Sequence, residues 1–179
     1  MSKVIQLEPD IAVAPQLVAA DFAGLAARGF RSVVNLRPDG EAPDQLPAAQ
    51  AAAVARRHGL AFRYLPVRSL NVTDDDVVGA FTRLMDELPG PILFYCGSSM
   101  RCATLWVQAA APQLGVDAVL AVARNAGYEL DFLRGTLLER GDSGDRRPAR
   151  AGPAGAPIAG HGRPTVGAIG LGLTQDPSY

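Results

Sequence analysis

Residues 91–102 read Pro-Ile-Leu-Phe-Tyr-Cys-Gly-Ser-Ser-Met-Arg-Cys. The run from Pro91 to Tyr95 is apolar throughout, as in a central strand that is buried on both faces of its sheet. The small residues that follow it interrupt the strand, and a helix is predicted from about 101 to 111. The stretch therefore predicts a buried strand that leads through a tight loop into the N-terminus of a helix.

Strand-like and helix-like segments alternate on both sides of this stretch. The first helix is expected to begin at Pro15, to bury Val18 and to stop at Gly29. Further strands and helices are predicted as follows: an extended start at 4–7 and 11–14, strands at 32–36 and 61–65, and helices at 47–58, 73–88, 116–125 and 129–138. Because strands separated by helices require right-handed crossovers, the pattern predicts an α/β fold with a central, mostly parallel sheet of about four to five strands flanked by helices.

The composition divides the chain after residue 140. Residues 141–179 hold nine of the 19 glycines and five of the 14 prolines. A segment of this kind cannot bury enough apolar surface to offset its chain entropy. The sequence therefore predicts an α/β domain at 1–140 and a flexible tail rich in Gly, Pro and Ala at 141–179.

Charge and hydropathy exclude several classes of partner. The chain has a net charge of -1 and is 48% apolar, so it lacks the positive excess that nucleic-acid binding requires. No apolar run approaches the roughly 20 residues that span a bilayer, and the N-terminus does not resemble a secretion signal. We expect a cytoplasmic protein without nucleic-acid or membrane partners. Two cysteines form no disulfide framework, no cluster suggests zinc, and no cofactor is predicted; the oligomeric state stays open.

The loop after the buried strand carries the predicted chemistry. Cys96 leaves the strand and faces a helix N-terminus, where unpaired amides and the helix dipole lower the pKa of a thiol. The small residues let successive amides turn inward around an anion, and Arg101 closes the ring with its guanidinium. The predicted anion-binding loop consists of Gly97, Ser98, Ser99 and Met100. The alternative is a buried structural cysteine followed by a plain Gly-Ser turn.

Other polar residues are predicted at the same edge of the sheet. In open α/β sheets the site lies beyond the carboxyl ends of the strands, so the loops after residues 36, 65 and 95 should meet. Arg37 and Glu41 lie on the first of these loops, and Arg68 on the second. We expect these three side chains at the rim of the site.

Four segments together are similar to a known family: 13–17, 29–41, 90–101 and 103–106. They resemble the bacterial β-lactamase-hydrolase-like phosphatase domain family, whose fold is similar to that of dual-specificity tyrosine phosphatases and some of whose members accompany sulfide-handling domains. The resemblance runs from about Ile11 to Leu133. It implies a phosphatase-like three-layer architecture, with Cys96 as nucleophile, Arg101 as oxyanion ligand and the 37–41 turn at the site rim.

The sequence departs from the pattern of that family at three places. Phosphatase loops usually place five residues between Cys and Arg, whereas four stand here, as in rhodanese-like sulfurtransferases. Tyr95 replaces the usual histidine before the cysteine. Cys102 replaces the usual hydroxyl after the arginine, and it is either a small buried residue or a resolving thiol that takes sulfur from Cys96 or forms a disulfide with it.

A phosphatase also needs a general acid for the leaving oxygen. The resemblance places an aspartate in the loop after the third strand, but Val67 to Leu70 contain no carboxylate. Asp39 on the rim loop is the expected substitute, with Glu41 second. Asp74 to Asp76 are explained more simply as charges at a helix N-terminus.

These observations lead to three hypotheses about function. The first is a thiolate-based, phosphatase-like hydrolase that acts on a small anionic or phosphorylated molecule through a phosphocysteine. The second, almost level with it, is a rhodanese-like sulfurtransferase that works on a persulfidated molecule through a cysteine persulfide. The third is a catalytically silent module that binds anions through the same loop.

Overall fold

The centre of the molecule is a sheet, seen in a computed structural model that describes residues 2–142. The strands within this range are β1 (Ile5–Glu8), β2 (Ile11–Ala14), β3 (Ser32–Asn35), β4 (Ala61–Tyr64) and β5 (Ile92–Tyr95). Their order across the sheet is β1-β2-β5-β3-β4. β1 pairs antiparallel with β2, and the other neighbours are parallel. The predicted, mostly parallel sheet is therefore confirmed.

Helices cover both faces of the sheet. They are α1 (Asp21–Ala27), α2 (Ala48–Arg57), α3 (Asp75–Glu87), α4 (Met100–Leu114), α5 (Val116–Asn125) and α6 (Arg134–Asp142), with 3₁₀ turns at Ser69–Asn71 and Asp131–Leu133. One apolar cluster joins the sheet to α1 and α2, and a second joins it to α3 through α6. The molecule thus has three layers, helix, sheet and helix.

β5 occupies the middle of the sheet, and each of its residues is fully buried. Successive side chains of a strand point to opposite faces. Leu93 and Tyr95 accordingly pack in the α1–α2 cluster, whereas Phe94 and Cys96 pack in the cluster with α3 to α6. This alternation sends the side chain of Cys96 toward the layer that contains α4.

Several predicted boundaries were wrong. The first helix begins at Asp21 rather than Pro15, because the Asp21 carboxylate accepts the amide of Val18 at 3.0 Å and holds the preceding residues in a loop. Val18 is consequently 57% exposed rather than buried. The helix predicted at 129–138 is a 3₁₀ turn followed by α6, which continues through Asp142, past the predicted domain boundary.

The remainder of the predicted tail, from residue 143, lies outside the described residues. Within residues 2–142, no helix combines the length and the apolar character that crossing a bilayer requires.

Candidate active site

The loops that follow β3, β4 and β5 meet at one edge of the sheet. The hydrogen bonding of the strands continues into these loops, since the Leu36 amide donates to the Tyr95 carbonyl and the Val67 amide to the Leu36 carbonyl, both at 2.9 Å. The Gly97 carbonyl accepts the Gln16 amide from the loop after β2 at 3.1 Å. The site is therefore built on the carboxyl ends of the parallel strands, as the topology predicts.

The segment from Cys96 to Ser99 turns sharply before α4 begins at Met100. Ser99 has a φ of 69°, a left-handed conformation that non-glycine residues adopt at a cost. Its hydroxyl hydrogen-bonds the Tyr128 hydroxyl at 2.8 Å in a buried position and also contacts the Ser98 carbonyl. Tyr128 thus fixes the loop at the point where its backbone is most constrained.

The sulfur of Cys96 lies at the base of this loop and is fully buried. The largest effect on the Cys96 sulfur is a hydrogen bond from the Cys102 thiol. The Cys102 and Arg101 amides and the positive charge of Arg101 also favour the thiolate. Together they outweigh the effect of burial and lower the pKa of Cys96 to about 6. With that pKa, most Cys96 side chains are thiolates at neutral pH.

Cys102 lies directly behind Cys96 in the first turn of α4 and is fully buried. Burial, followed by the hydrogen bond to Cys96 and the negative charge of that sulfur, raises the pKa of Cys102 well above its ordinary value. The two cysteines therefore form an asymmetric pair, in which one is ionised and the other stays protonated and donates to it. Both are free thiols.

The guanidinium of Arg101 is held by two loops. Its Nη1 and Nη2 donate to the two carboxylate oxygens of Glu41 at 2.7 Å each, and Nη1 also donates to the Val67 carbonyl at 2.8 Å. A guanidinium has five N–H groups, so these bonds leave Nε and one proton of Nη2 for other partners. The guanidinium also interacts with the Cys96 sulfur. The Nε proton and the second Nη2 proton of Arg101 are therefore the donors that remain for an anion bound at the loop.

Glu41 connects Arg101 to a second arginine. The Nε of Arg37 donates to Glu41 at 2.9 Å, and its Nη1 donates to the Gln16 side chain at 3.0 Å. The hydrogen bond from Arg101, with that from Arg37, lowers the pKa of Glu41 despite partial burial. Both guanidinium groups approach Gly97, since a Cβ atom at this position would lie 3.5 Å from each of them, in ordinary van der Waals contact.

A pocket of about 590 Å³ opens beside the loop. Gly97, Ser98, Met100 and Arg101 line it from the loop and from the start of α4. Its walls come from the loop after β4, from α4 and from the second 3₁₀ turn: Ser69, Val72, Thr73, Thr104, Phe132 and Leu133. The volume lies within the range typical of small-molecule sites.

Some predicted site residues lie apart from this pocket. Asp39 is exposed on the rim loop, and its Oδ1 accepts the Ala48 amide at the start of α2 at 2.9 Å. Arg68 is exposed on the loop after β4 and is not among the residues that line the pocket. Tyr95, at the position usual for histidine, points into the opposite layer from Cys96 and cannot support the thiolate.

Sequence reasoning missed Gln16, Tyr128 and Phe132. Gln16 follows β2, whose carboxyl end lies at the same sheet edge, so its place could have been predicted had β2 been identified as a neighbour of β5. No sequence signal marks Tyr128 or Phe132, because both reach the loop through the packing of α5 and α6 against α4.

Comparison with known proteins identifies a family. The model of the family described as "Beta-lactamase hydrolase-like protein, phosphatase-like domain" matches residues 4–113, more than half of the chain. A β-lactamase hydrolase-like protein of Xylella fastidiosa is 33% identical over 130 residues, which are 72% of this chain and 30% of the relative. A protein of the same description from Agrobacterium fabrum is 35% identical over 105 residues, 59% of this chain and 24% of the relative. The chain thus spans less than a third of the length of these curated relatives.

Solved structures give the same architecture. A candidate phosphatase from Neisseria meningitidis has a TM-score of 0.66 and 29% identity, with 74% of this chain and 94% of that chain covered. A candidate phosphatase from Shewanella putrefaciens has a TM-score of 0.60 and 18% identity, with 80% of this chain and 93% of that chain covered. At this identity the likeness shows the fold alone. The three-layer α/β fold is therefore phosphatase-like.

Proposed function

Because this chain belongs to the β-lactamase hydrolase-like protein, phosphatase-like domain family, we propose that it is a cysteine-dependent hydrolase of phosphomonoesters. The observation that carries the proposal is the lowered pKa of Cys96, whose sulfur interacts with the Arg101 and Cys102 amides and with the Arg101 guanidinium. A nucleophile that is ionised at neutral pH and adjoins anion-binding donors suits attack on phosphorus.

The first step transfers the phosphoryl group to sulfur. The Cys96 thiolate attacks phosphorus, a P–S bond forms, and the P–O bond to the leaving group breaks with its electron pair on that oxygen. The two Arg101 N–H groups that are not used by Glu41 and Val67 bind phosphoryl oxygens. The Glu41 ion pair keeps the guanidinium oriented during this exchange.

The second step releases phosphate. Water attacks phosphorus and gives a proton to the Asp39 carboxylate, which lost its own in the first step, while the P–S bond breaks and restores the Cys96 thiolate. The protonated Cys102 donates a hydrogen bond to the departing sulfur, as the hydroxyl of other phosphatase loops would. Asp39, on the rim loop, remains the proposed acid for the leaving oxygen in the first step, and Glu41 stays second because both of its oxygens bind arginine.

A second candidate function is transfer of sulfane sulfur, favoured by the contact between Cys102 and Cys96. The Cys96 thiolate would attack the outer sulfur of thiosulfate, forming an S–S bond while sulfite leaves. The Cys102 sulfur would then attack the inner sulfur of the Cys96 persulfide, while the Cys102 proton passes to the outer sulfur. The S–S bond of the persulfide breaks, and the products are a Cys96–Cys102 disulfide and hydrosulfide. The short loop of four residues between Cys96 and Arg101 agrees with this reaction.

Intact-mass measurement tests both candidates. The protein is incubated separately with an aryl phosphate and with thiosulfate, quenched in acid and digested to locate any adduct. A gain of about 80 mass units on Cys96 is expected for a phosphocysteine, and about 32 for a persulfide. Cys96→Ser is the control for both adducts, and Cys102→Ser shows whether the second thiol takes part.

The outcomes separate the hypotheses. A phosphoryl adduct with release of phosphate supports hydrolysis, whereas a sulfur adduct without a phosphoryl adduct replaces it with sulfur transfer. If neither adduct forms while Cys96→Ser binds phosphate as the wild type does and Arg101→Ala does not, the loop is a silent anion-binding module.

A further inference from the structure

The pocket beside the loop has an apolar wall, part of which comes from outside the region matched by the family. The family match ends at residue 113, whereas Phe132 and Leu133 belong to the second 3₁₀ turn. Phe132 lines the pocket with 75% of its surface exposed, and Met100 faces it from the start of α4 with 45% exposed. Two large apolar side chains are thus exposed directly beside a charged loop.

Side-chain hydrogen bonds from two arginines connect the segment that carries this wall to neighbouring elements. Asp131, next to Phe132, receives two hydrogen bonds from Arg124 of α5, at 2.7 and 2.9 Å. Arg140 of α6 donates to the Thr73 carbonyl at 2.5 Å and to Gln108 of α4 at 2.6 Å. The turn that carries Phe132 is therefore bound to α5, and α6, which follows the turn, is bound to α4 and to Thr73 in the pocket lining.

The two ends of the pocket differ in chemistry. One end holds the Gly97–Ser98 loop and Arg101, which provides the positive charge. Among the described residues that line the pocket, the others are uncharged, and Val72, Met100, Phe132 and Leu133 are apolar. A ligand that matches both ends carries an anionic group and an apolar body on the same small molecule.

We propose that Phe132 and Met100 form a specificity wall, which binds an aromatic ring attached to the anionic group of the substrate. The inference rests on the proposed function for the position of the anionic group at Arg101. An exposed phenylalanine ring can stack on or meet the edge of a second ring, and a methionine sulfur contacts ring edges favourably.

The composition of the lining supports an aromatic leaving group for a separate reason. The described residues that line the pocket include no carboxylate or histidine, and Asp39, the proposed acid, lies outside this lining on the rim loop. A phenol has a pKa of about 10, whereas that of an aliphatic alcohol is close to the ~16 of water. An aryl oxygen therefore departs far more readily without protonation, so the pocket suits aryl esters better than alkyl esters.

The test compares a substrate that reaches the wall with one that does not. We measure kcat/KM for 1-naphthyl phosphate and for acetyl phosphate in the wild type, Phe132→Ala and Phe132→Leu. In Phe132→Ala, kcat/KM should fall about tenfold for 1-naphthyl phosphate and less than twofold for acetyl phosphate. For 1-naphthyl phosphate, kcat/KM of Phe132→Leu should lie between those of the wild type and Phe132→Ala. Leu138→Ala is the matched control, because Leu138 is 54% exposed on α6 and does not line the pocket.

A binding experiment keeps this inference separate from the proposed reaction. Calorimetry with the Cys96→Ser protein measures the affinity for 1-naphthylphosphonate and for methylphosphonate, neither of which is hydrolysed. The wall is supported if the naphthyl compound binds more tightly than the methyl compound and if adding Phe132→Ala to the Cys96→Ser protein removes this difference. This result does not require that any substrate is hydrolysed. Equal binding of the two compounds, or loss of both on Phe132→Ala in a protein with an unchanged melting temperature, overturns it.

Discussion

The Cys102 side chain controls the ionisation of Cys96, since its thiol hydrogen bond is the largest of the contributions that lower the pKa of Cys96. Replacing Cys102 with Ala removes the donor, so the pKa of Cys96 should rise by about one unit or more. Cys102→Ser keeps a donor and should leave the pKa close to about 6.

The measurement is the pH dependence of Cys96 alkylation by iodoacetamide, followed by peptide mapping. The wild type should show a midpoint near pH 6, and Cys102→Ala should show a midpoint shifted toward that of a free thiol. An unchanged midpoint in Cys102→Ala would mean that amides and Arg101 alone hold the thiolate.

At the scale of secondary structure elements, the active-site loop depends on a segment that follows it by about thirty residues. Ser99 at the start of α4 and Tyr128 after α5 share a buried hydrogen bond of 2.8 Å. Tyr128→Phe should loosen the loop, costing about 1 kcal/mol of unfolding free energy and a several-fold decrease in kcat with little change in KM.

A double-mutant cycle checks this coupling. Tyr128→Phe and Ser99→Ala each break the same hydrogen bond, so the double variant should lose little more activity and stability than either single variant. Strictly additive losses would show that the two hydroxyls act independently.

The element order was predictable from sequence because apolar periodicity and Gly or Pro stops coincide in most of the chain. β5 and α5 were predicted almost to the residue. α4 exceeds its prediction by three residues at its C-terminus, where Pro112 is accommodated near the last turn. The extended segments at 4–7 and 11–14 were predicted, but their antiparallel pairing and the position of β2 beside β5 were not, since four-residue strands joined by two residues carry little periodic signal.

The candidate site was only partly predictable. A strand exit followed by small residues and an arginine indicated Cys96 and Arg101, because those features are contiguous in sequence. The bidentate Glu41 contact joins residues 60 positions apart, and its geometry depends on how two loops cross the sheet edge. Tyr128 and Phe132 depend on helix packing alone, which no local pattern encodes.

At the scale of the whole molecule, the Cys96 thiolate makes stability depend on pH. Its folded pKa of about 6 lies below the ~8.5 of an unfolded thiol, so the stabilisation is fully present above pH 8.5 and is lost as pH falls toward 6. The difference in unfolding free energy between the wild type and Cys96→Ser should therefore grow by about 3 kcal/mol from pH 6 to pH 8.5.

Urea unfolding of both proteins at several pH values measures this difference. The subtraction removes the contributions of carboxylates and histidines that both proteins share. A difference that stays constant across this range would indicate that the thiol is not ionised in the folded protein.

Arg101 takes its orientation from Glu41 and from the Val67 carbonyl, which belong to two separate crossovers of the sheet. A peptide or a foreign scaffold that carried residues 96–102 would therefore reproduce the nucleophile and the turn but not the direction of the cation. Transplanting this chemistry into a designed protein means transferring three strand ends in their native spacing, because the recognition of the anion is a property of their assembly.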